Sequence, residues 1–372
     1  MAVKSNRTVP LYTQIANELK EQILSGVFRP GDRLPSENEL AKHFCVSTIT
    51  SKRALNDLFD SNLIIRIKGK GSFVAGKDGL DILNSRKSSF KGIIGIIIPT
   101  FCMPVESSLF YLIQSHMHDL GYHTLIRVTD DHIGKEKEAI NMFLAFGVRG
   151  IIIFPAILSD SYVPYDEEIL RLSLDRFPHV LIDRNLPHLI SSSVVSDNKE
   201  AAIEVIEYLL EEGHTDILLF TQRDTNSTTH ERMMGFEEGF VRHGMKIDKS
   251  KWFTANFRIG DAELEQSLEA FLKMHPNATA GVAIDTPLAS MAYALLHQSG
   301  KPIPEQFKLI SFDNPRLPFV PYVKQDVARI SKRAIEILMS QIEDSYKVVS
   351  EKIPAIFIKD VTYPSPFGIE SI

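Results

Sequence analysis

Lys68-Gly69-Lys70-Gly71 places two cations on a glycine-supplied turn, and Lys52-Arg53 places two more on a short helical pattern upstream. Charge displayed this way suits phosphate oxygens, which it grips without reading a base. The Gly-Lys pair is not a nucleotide-phosphate loop. Gly71 stands where Ser or Thr is required, and no glycine occupies the upstream position. His116, His118, Asp119 and His123 suggest a metal, but spacings of two and five on one helical pattern aim them at different faces, so no metal is expected. The chain has no nucleophile elbow, dinucleotide glycine fingerprint or His-Glu-x-x-His pair. No catalytic residue and no cofactor are therefore expected, and the chain does not read as an enzyme.

The cations need elements to hold them. Pro10 suits a first helical turn, and Tyr12, Ile15, Leu19 and Ile23 then mark one apolar face at spacings of three and four. Gly26, Pro30 and Gly31 end that helix. Ser36 and Glu39 form a capping box that opens a short helix to about His43, with Leu40 and Phe44 inward. Ser47 is the expected N-cap of a third helix over 48–59. Two short helices joined by a tight turn make a helix-turn-helix, whose second helix can enter the major groove. Ile64-Ile65-Arg66-Ile67 and Ser72-Phe73-Val74 then read as two strands around the glycine–lysine turn, a wing.

The whole chain has 372 residues, 44% apolar and 24% charged, enough for two or three folded units. Its net charge of −6 is unevenly spread. Residues 1–75 carry 11 basic and 7 acidic groups, and the remainder 30 and 40, so a basic head precedes an acidic body. The start lacks an apolar stretch of signal-peptide length, and no apolar run reaches the ~18–20 residues of a membrane span. Cys45 and Cys102 are the only cysteines and lie in different segments, which suits a reducing compartment. A cytoplasmic protein without membrane contact is expected.

Residues 76–91 lack a sustained period and read as a linker. From Gly92 short apolar runs follow at 93–98, 124–128, 150–154, 180–182, 217–220, 281–284 and 308–312, separated by helical patterns such as 201–210, 262–272, 287–296 and 327–342. Strands buried on both faces and alternating with helices indicate doubly wound parallel sheets, and their number suits two α/β lobes.

The head resembles the GntR-type winged helix-turn-helix in Leu34-Pro-Ser-Glu-Asn-Glu-Leu40, Val46-Ser47, Arg53-Ala-Leu55 and Gly69-Lys-Gly-Ser-Phe-Val74. The resemblance implies that Ser47, Thr48, Thr50, Ser51 and Lys52 start the recognition helix. It also implies that Asn38 approaches the DNA backbone and that Gly69 and Lys70 reach the minor groove, while Arg53 and Lys68, like Lys52 and Lys70, can hold phosphates. Many members carry Arg where this chain has Asn38 and Thr48; Arg is the commonest reader of guanine, so no relative's operator transfers.

The rest resembles the effector domain of LacI/GalR repressors, itself similar to periplasmic sugar-binding proteins. The shared motifs are Gly92-Ile-Ile-Gly-Ile-Ile-Ile-Pro99, Leu181-Ile-Asp-Arg184, Glu212-Gly-His214, Arg232-Met-Met-Gly-Phe236 and Ile310-Ser-Phe-Asp-Asn314. The combination with a GntR-type head looks like the arabinose-repressor subfamily. The resemblance implies lobe 1 over 92–196 and 326–346 and lobe 2 over 197–314 and 351–362. The chain would cross near Asp197, near 315–325 and near 345–350, with ligand between the lobes. By position it assigns Arg232, Asp313 and Gln325 to the hydroxyls of a sugar and Phe257 to its apolar face. Asp285 matches the acidic half of an Asn-Asp pair in which Ile284 replaces the Asn, and Phe101 and Glu106 stand on the lobe 1 rim. Each residue also has a plainer reading. Asp313 suits a turn before Pro315, Arg232 a helix surface, Phe257 a core, and Asp183-Arg184 either the cleft wall or a structural ion pair.

A dimeric repressor of carbohydrate-utilisation genes is the resulting expectation, its partners operator DNA and a small sugar. A purine or sugar phosphate is the alternative effector. A solute-binding transport protein is the alternative from another class, though it would carry an export signal and no DNA head.

Overall fold

A computed structural model describes residues 10–61, 63–67, 70–75, 90–156, 166–186, 188–223, 226–257 and 260–362. The chain divides into two units, Met1–Lys91 and Gly92–Ile372. Apart from Phe90 and Lys91, the expected linker lies outside the described residues.

In the first unit, α1 (Leu11–Leu24) buries Ile15, Ala16, Leu19 and Ile23 on one face. α2 (Glu37–Phe44) buries Leu40 and Phe44, and α3 (Thr48–Asp60) buries Ser51, Ala54, Leu55 and Leu58. β1 (Ile64–Ile67) pairs antiparallel with β2 (Gly71–Val74), Ile64 opposite Val74 and Ile67 opposite Gly71. Gly71 has φ +119°, which a residue with a Cβ adopts only under strain. A bridge from Arg33 to Phe73 brings the chain before α2 onto the hairpin. Leu34, Leu63 and Val74 thereby join the three helices in one core.

The second unit contains two six-stranded sheets. The first comes from β3 (Gly92–Ile98), α4 (Pro104–Asp119), β4 (Tyr122–Val128), α5 (Ile133–Ala145), β5 (Gly150–Ile153), α6 (Glu167–Leu174), β6 (His179–Ile182) and β7 (Ser193–Ser196). The second comes from α7 (Asn198–Glu211), β8 (Ile217–Gln222), α8 (Ser227–Arg242), β9 (Trp252–Ala255), α9 (Asp261–Met274), β10 (Ala280–Ala283), α10 (Thr286–Gln298), β11 (Lys308–Phe312) and β12 (Tyr322–Lys324). α11 (Val327–Glu343) and β13 (Ser350–Ile353) return to the first sheet, and β14 (Ile356–Ile358) closes the second. The strand orders are β13-β7-β6-β5-β3-β4 and β14-β12-β11-β10-β8-β9, parallel throughout except for β14 on β12. Helices cover both faces of each sheet. α4 and α11 lie over one face of the first, and α5 and α6 over the other. α9 and α10 cover one face of the second, and α7 and α8 the other.

β12 lies in the second sheet, so the second crossing falls at 325–326, the end of the expected 315–325. The lobes differ from the sequence expectation at the last crossing. Ser350–Ile353 pairs with Ser193–Ser196 in the first sheet, and the third crossing falls at 354–355 rather than 345–350. Buried Ile353 belongs to the first lobe's core, which fixes β13 there despite its polar sequence.

α7 and α8 approach closely because of two glycines. A Cβ at Gly235 would stand 2.3 Å from the Lys199 carbonyl oxygen, and one at Gly239 would stand 2.8 Å from Ile206 Cβ. Gly235→Ala favours helix intrinsically, yet the clash with backbone must separate the helices. We expect a net loss of about 1–3 kcal/mol, read as a lower midpoint in urea unfolding. An unchanged midpoint would show that the helices do not pack this closely.

Candidate functional site

On the head, Ser36 Oγ accepts from Glu39 N at 3.3 Å and Glu39 accepts from Ser36 N at 2.7 Å, completing the capping box of α2. Ser47 caps α3 by accepting from Thr50 N at 3.1 Å, and the Ser47 and Thr50 hydroxyls meet at 2.7 Å. Asn38, Ser47, Thr48, Lys52, Arg53 and Lys70 are exposed, while Thr50 is half-buried. The Arg53 guanidinium stacks over the Tyr12 ring at 4.0 Å.

Ser51 corrects the sequence expectation. It is fully buried and its hydroxyl donates to the Glu37 and Thr48 carbonyls, at 2.7 and 3.0 Å, so it ties α3 to α2. Lys68 and Gly69 lie outside the described residues. The sequence reading passed over Ile49, whose side chain is 80% exposed on the first turn of α3. Its neighbours Ser47, Thr48 and Thr50 are polar, so no apolar pattern singles it out in the sequence.

In the second unit, the C-terminal ends of the parallel strands converge on a cleft with about 540 Å³ of empty space, its open mouth included. Open α/β sheets place ligands at such strand ends. Glu106 enters from the first turn of α4, and Asp183 and Arg184 follow β6. Arg232 comes from α8, Asp285 and Asp313 follow β10 and β11, and Gln325 follows β12.

Arg232 is 5% exposed. Its Nε donates to Asn198 Oδ1 at 2.8 Å and its Nη1 to the Ile284 carbonyl at 2.6 Å. Nη2 stands 3.9 Å from Asp313 Oδ2, and the guanidinium lies over the Phe312 ring at 4.3 Å. Gln325 Nε2 donates to both Asp313 oxygens, at 3.0 and 3.3 Å, and its Oε1 accepts from Ser196 Oγ at 2.7 Å. Ser196 and Asn198 are thus the supports of the site. The sequence reading missed both, because their partners are 129 and 34 residues away.

The lobes also meet where Thr228 Oγ1 donates to the Asp183 carbonyl at 2.9 Å and Asn185 N donates to Ser227 Oγ at 2.8 Å. Asp183 and Asp313 occupy equivalent positions in the two sheets, and both are left-handed, with φ +66° and +62°. Strain of this kind persists where surrounding structure enforces it.

Glu106, Arg232, Asp285, Asp313 and Gln325 are therefore brought together as expected from position, and Phe101 and Phe257 are not. Phe101 packs edge-on against Phe110 at 5.0 Å, and Phe257 follows the edge strand β9, at the margin of its sheet; both are largely exposed. Asp285 doubles as the cap of α10, accepting from Leu288 N at 2.9 Å. Arg184 lines the cleft and is also a structural ion-pair partner. It binds Asp131, donates to the Pro155 carbonyl at 3.0 Å and stands 3.6 Å from Asp183.

Burial pushes the cleft carboxyls up. Glu106, further raised by nearby Asp183, reaches about 7, and Asp285 reaches about 6. Burial raises Asp313 as well, against the pull of Arg232 and the Gln325 hydrogen bonds.

Beneath Arg184, Glu136 is 1% exposed, accepts from Ala156 N at 2.8 Å through Oε2, and has no hydrogen-bond partner for Oε1 among the described residues. Burial, reinforced by Asp166, pushes its pKa from 4.5 up to about 8. Between those values the folded chain holds a proton that the unfolded chain has released. Stability from this group therefore falls as pH rises through that window. Glu136→Gln has no proton to lose, so it should raise the melting temperature at pH 8 and change it little at pH 5. An equal shift at both would remove ionisation as the cause.

Comparison with known proteins gives this geometry a context. Residues 11–74 match the family of bacterial regulatory proteins of the gntR type, and residues 206–358 match a periplasmic binding protein-like domain. The arabinose metabolism transcriptional repressor of Geobacillus stearothermophilus is 23% identical over 351 residues, 91% of this chain and 92% of its own length. A ribose operon repressor of Halalkalibacterium halodurans is 27% identical, covering 83% of this chain and 92% of its own. Among solved structures, a LacI family regulator from Enterococcus faecium with bound ribose superposes with TM-score 0.60 at 21% identity, covering 73% of this chain and 99% of that one. The chain thus carries a helix-turn-helix domain of the GntR family of bacterial regulatory proteins, followed by a periplasmic-binding-protein-like domain of the fold seen in LacI-family regulators.

Proposed function

We propose that this protein is a transcription repressor of carbohydrate-utilisation genes, released from its operator by a small sugar bound between the lobes of the second unit. The observation that carries this reading is the joining of a DNA-binding head to a cleft with Arg232, Asp313 and Gln325 at its centre. A guanidinium donates in a fixed fork, and a carboxylate accepts from adjacent hydroxyls, which is the recognition a polyol requires. The relatives named above are repressors of arabinose metabolism and of a ribose operon, which supports a sugar as the effector.

On the DNA side, Lys52 and Lys70 serve phosphates, and Thr48, Thr50 and Asn38 supply polar contacts. Ile49 offers an apolar surface that suits the methyl group of thymine. Two heads in a homodimer would match the two halves of a pseudo-palindromic operator. Effector binding then closes the lobes and depopulates the DNA-competent arrangement. A coupling of ~1–3 kcal/mol lowers operator affinity about 5–150-fold.

The test is fluorescence anisotropy on DNA from upstream of the protein's own gene, with a panel of pentoses, hexoses and sugar phosphates. Tight, salt-sensitive binding reversed by one sugar is expected; binding that none of them alters would remove the sugar reading. Asp313→Asn keeps the side-chain shape and should bind operator normally while losing at least tenfold in effector response. Lys52→Ala and Lys70→Ala should weaken binding to every DNA and flatten its salt dependence. An unchanged salt slope in both would move the DNA face elsewhere.

A further inference from the structure

Among the described residues, the charges that line the cleft do not balance. Glu106, Asp183, Asp285 and Asp313 line it against Arg184 and Arg232. Both guanidinium groups are already engaged, Arg184 with Asp131 and the Pro155 carbonyl, Arg232 with Asn198 and the Ile284 carbonyl. Two of the acids also have hydrogen-bond donors, Leu288 N for Asp285 and Gln325 for Asp313. Glu106 differs. It is 9% exposed, it lines the cleft, and among the described residues no other residue donates a hydrogen bond to its carboxyl. Asp183 stands near it and has only Arg184, at 3.6 Å, as an ion-pair partner among the described residues.

A buried carboxylate with no donor beyond its own backbone N–H is costly, and burial, reinforced by nearby Asp183, raises Glu106 to about 7 against the pull of Arg184. The missing partner has a definite chemistry: positive, compact, and with several donors to share between two carboxylates. A phosphate would add like charge to a cleft already rich in acid. A neutral hydroxyl would supply one donor and no charge. Among the described residues the cleft lining contains no aromatic ring, and its polar groups are what it offers a ligand.

We propose that the effector carries a primary amine, its ammonium seated between Glu106 and Asp183 while its hydroxyls meet Arg232, Asp313 and Gln325. An amino sugar has this chemistry. The inference rests on the cleft being the effector site and narrows what enters it. It also divides the ligand between lobes, because Glu106 and Asp183 come from the first and Arg232, Asp313 and Gln325 from beyond the first crossing. One molecule would then satisfy an acid pair on one side and a guanidinium–carboxylate pair on the other.

The experiment is isothermal titration calorimetry of the full chain with D-glucosamine and D-galactosamine, against D-glucose, D-galactose, L-arabinose, D-ribose, N-acetyl-D-glucosamine and glucosamine 6-phosphate. An amino sugar is expected to bind at least tenfold more tightly than its parent, and N-acetylation is expected to remove the advantage. In Glu106→Gln and Asp183→Asn the difference between amine and parent should shrink below threefold. The ligand-free melting temperature of each variant reports whether it folds. A neutral sugar that binds as tightly as its amine, or an advantage that survives both substitutions, would overturn the amine while leaving a sugar effector in place. Preference for the phosphorylated ligand would overturn the amine and the uncharged sugar together. Silence from every compound, in a protein that binds its operator, would overturn both this inference and the reading of the cleft as a sugar site.

Discussion

Arg232 is a guanidinium almost completely removed from water, and burial of a charge is tolerated only when hydrogen bonds and opposite charge replace the lost solvent. Its replacements come from separate parts of the fold: Asn198 at the start of α7, the Ile284 carbonyl after β10, Asp313 after β11 and the Phe312 ring beneath. Satisfying this one group therefore fixes the relative positions of two helices and two strand ends. Gly235, one turn further along α8, lets the backbone of α7 come near enough for Asn198 to reach it. Packing in the second lobe and polarity in the cleft are consequences of the same close approach.

The two sheets repeat one strand order, and several local features repeat with it. Asp183 follows β6 and Asp313 follows β11, each third in its sheet and each left-handed. Asp197 and Asp326 cap the helices after the first two crossings, with φ and ψ of −75° and 76° in one and −80° and 73° in the other. The repeat is not complete. Asp313 has a glutamine donating to it, whereas Asp183 has Arg184 and a second acid, Glu106. The cleft therefore has two chemically different walls built on one backbone plan.

Most of the head was legible because its signals are local. The capping box lies within four residues, and the hairpin pairs two strands only a few residues apart, so each is specified locally. The central strands β3, β5, β6, β8, β10 and β11 were legible as short apolar runs between helical patterns. β7, β9, β12, β13 and β14 were not: they lie at or next to an edge of their sheet and take their identity from partners far along the chain. Ser350-Glu-Lys-Ile353 has no apolar run to announce a strand, and that displaced the last crossing. Among site residues, Arg232, Asp313 and Gln325 were placed by family position, which fixes where they lie and not what they touch. Ser51 looked like a recognition-helix hydroxyl by sequence, and only the packing of α2 reveals that it faces inward. Glu106 was visible as a rim acid, but that among the described residues no other residue donates to it is a property of the folded wall.

The three crossings have a consequence for biosynthesis. The head's core uses only residues between 12 and 74, so it is complete once that stretch has left the ribosome. The first sensor lobe begins at residue 92 yet lacks α11 and β13 until Ile353 emerges, and the second lobe awaits β14 only five residues later. Both lobes thus close almost together, at the end of translation and more than 270 residues after the head. A chain interrupted anywhere in that interval would have a finished DNA-binding head and no working sensor. Under the proposed function such a fragment would have the DNA-binding part without the cleft that senses an effector, so completion of translation is itself a condition of any response to one.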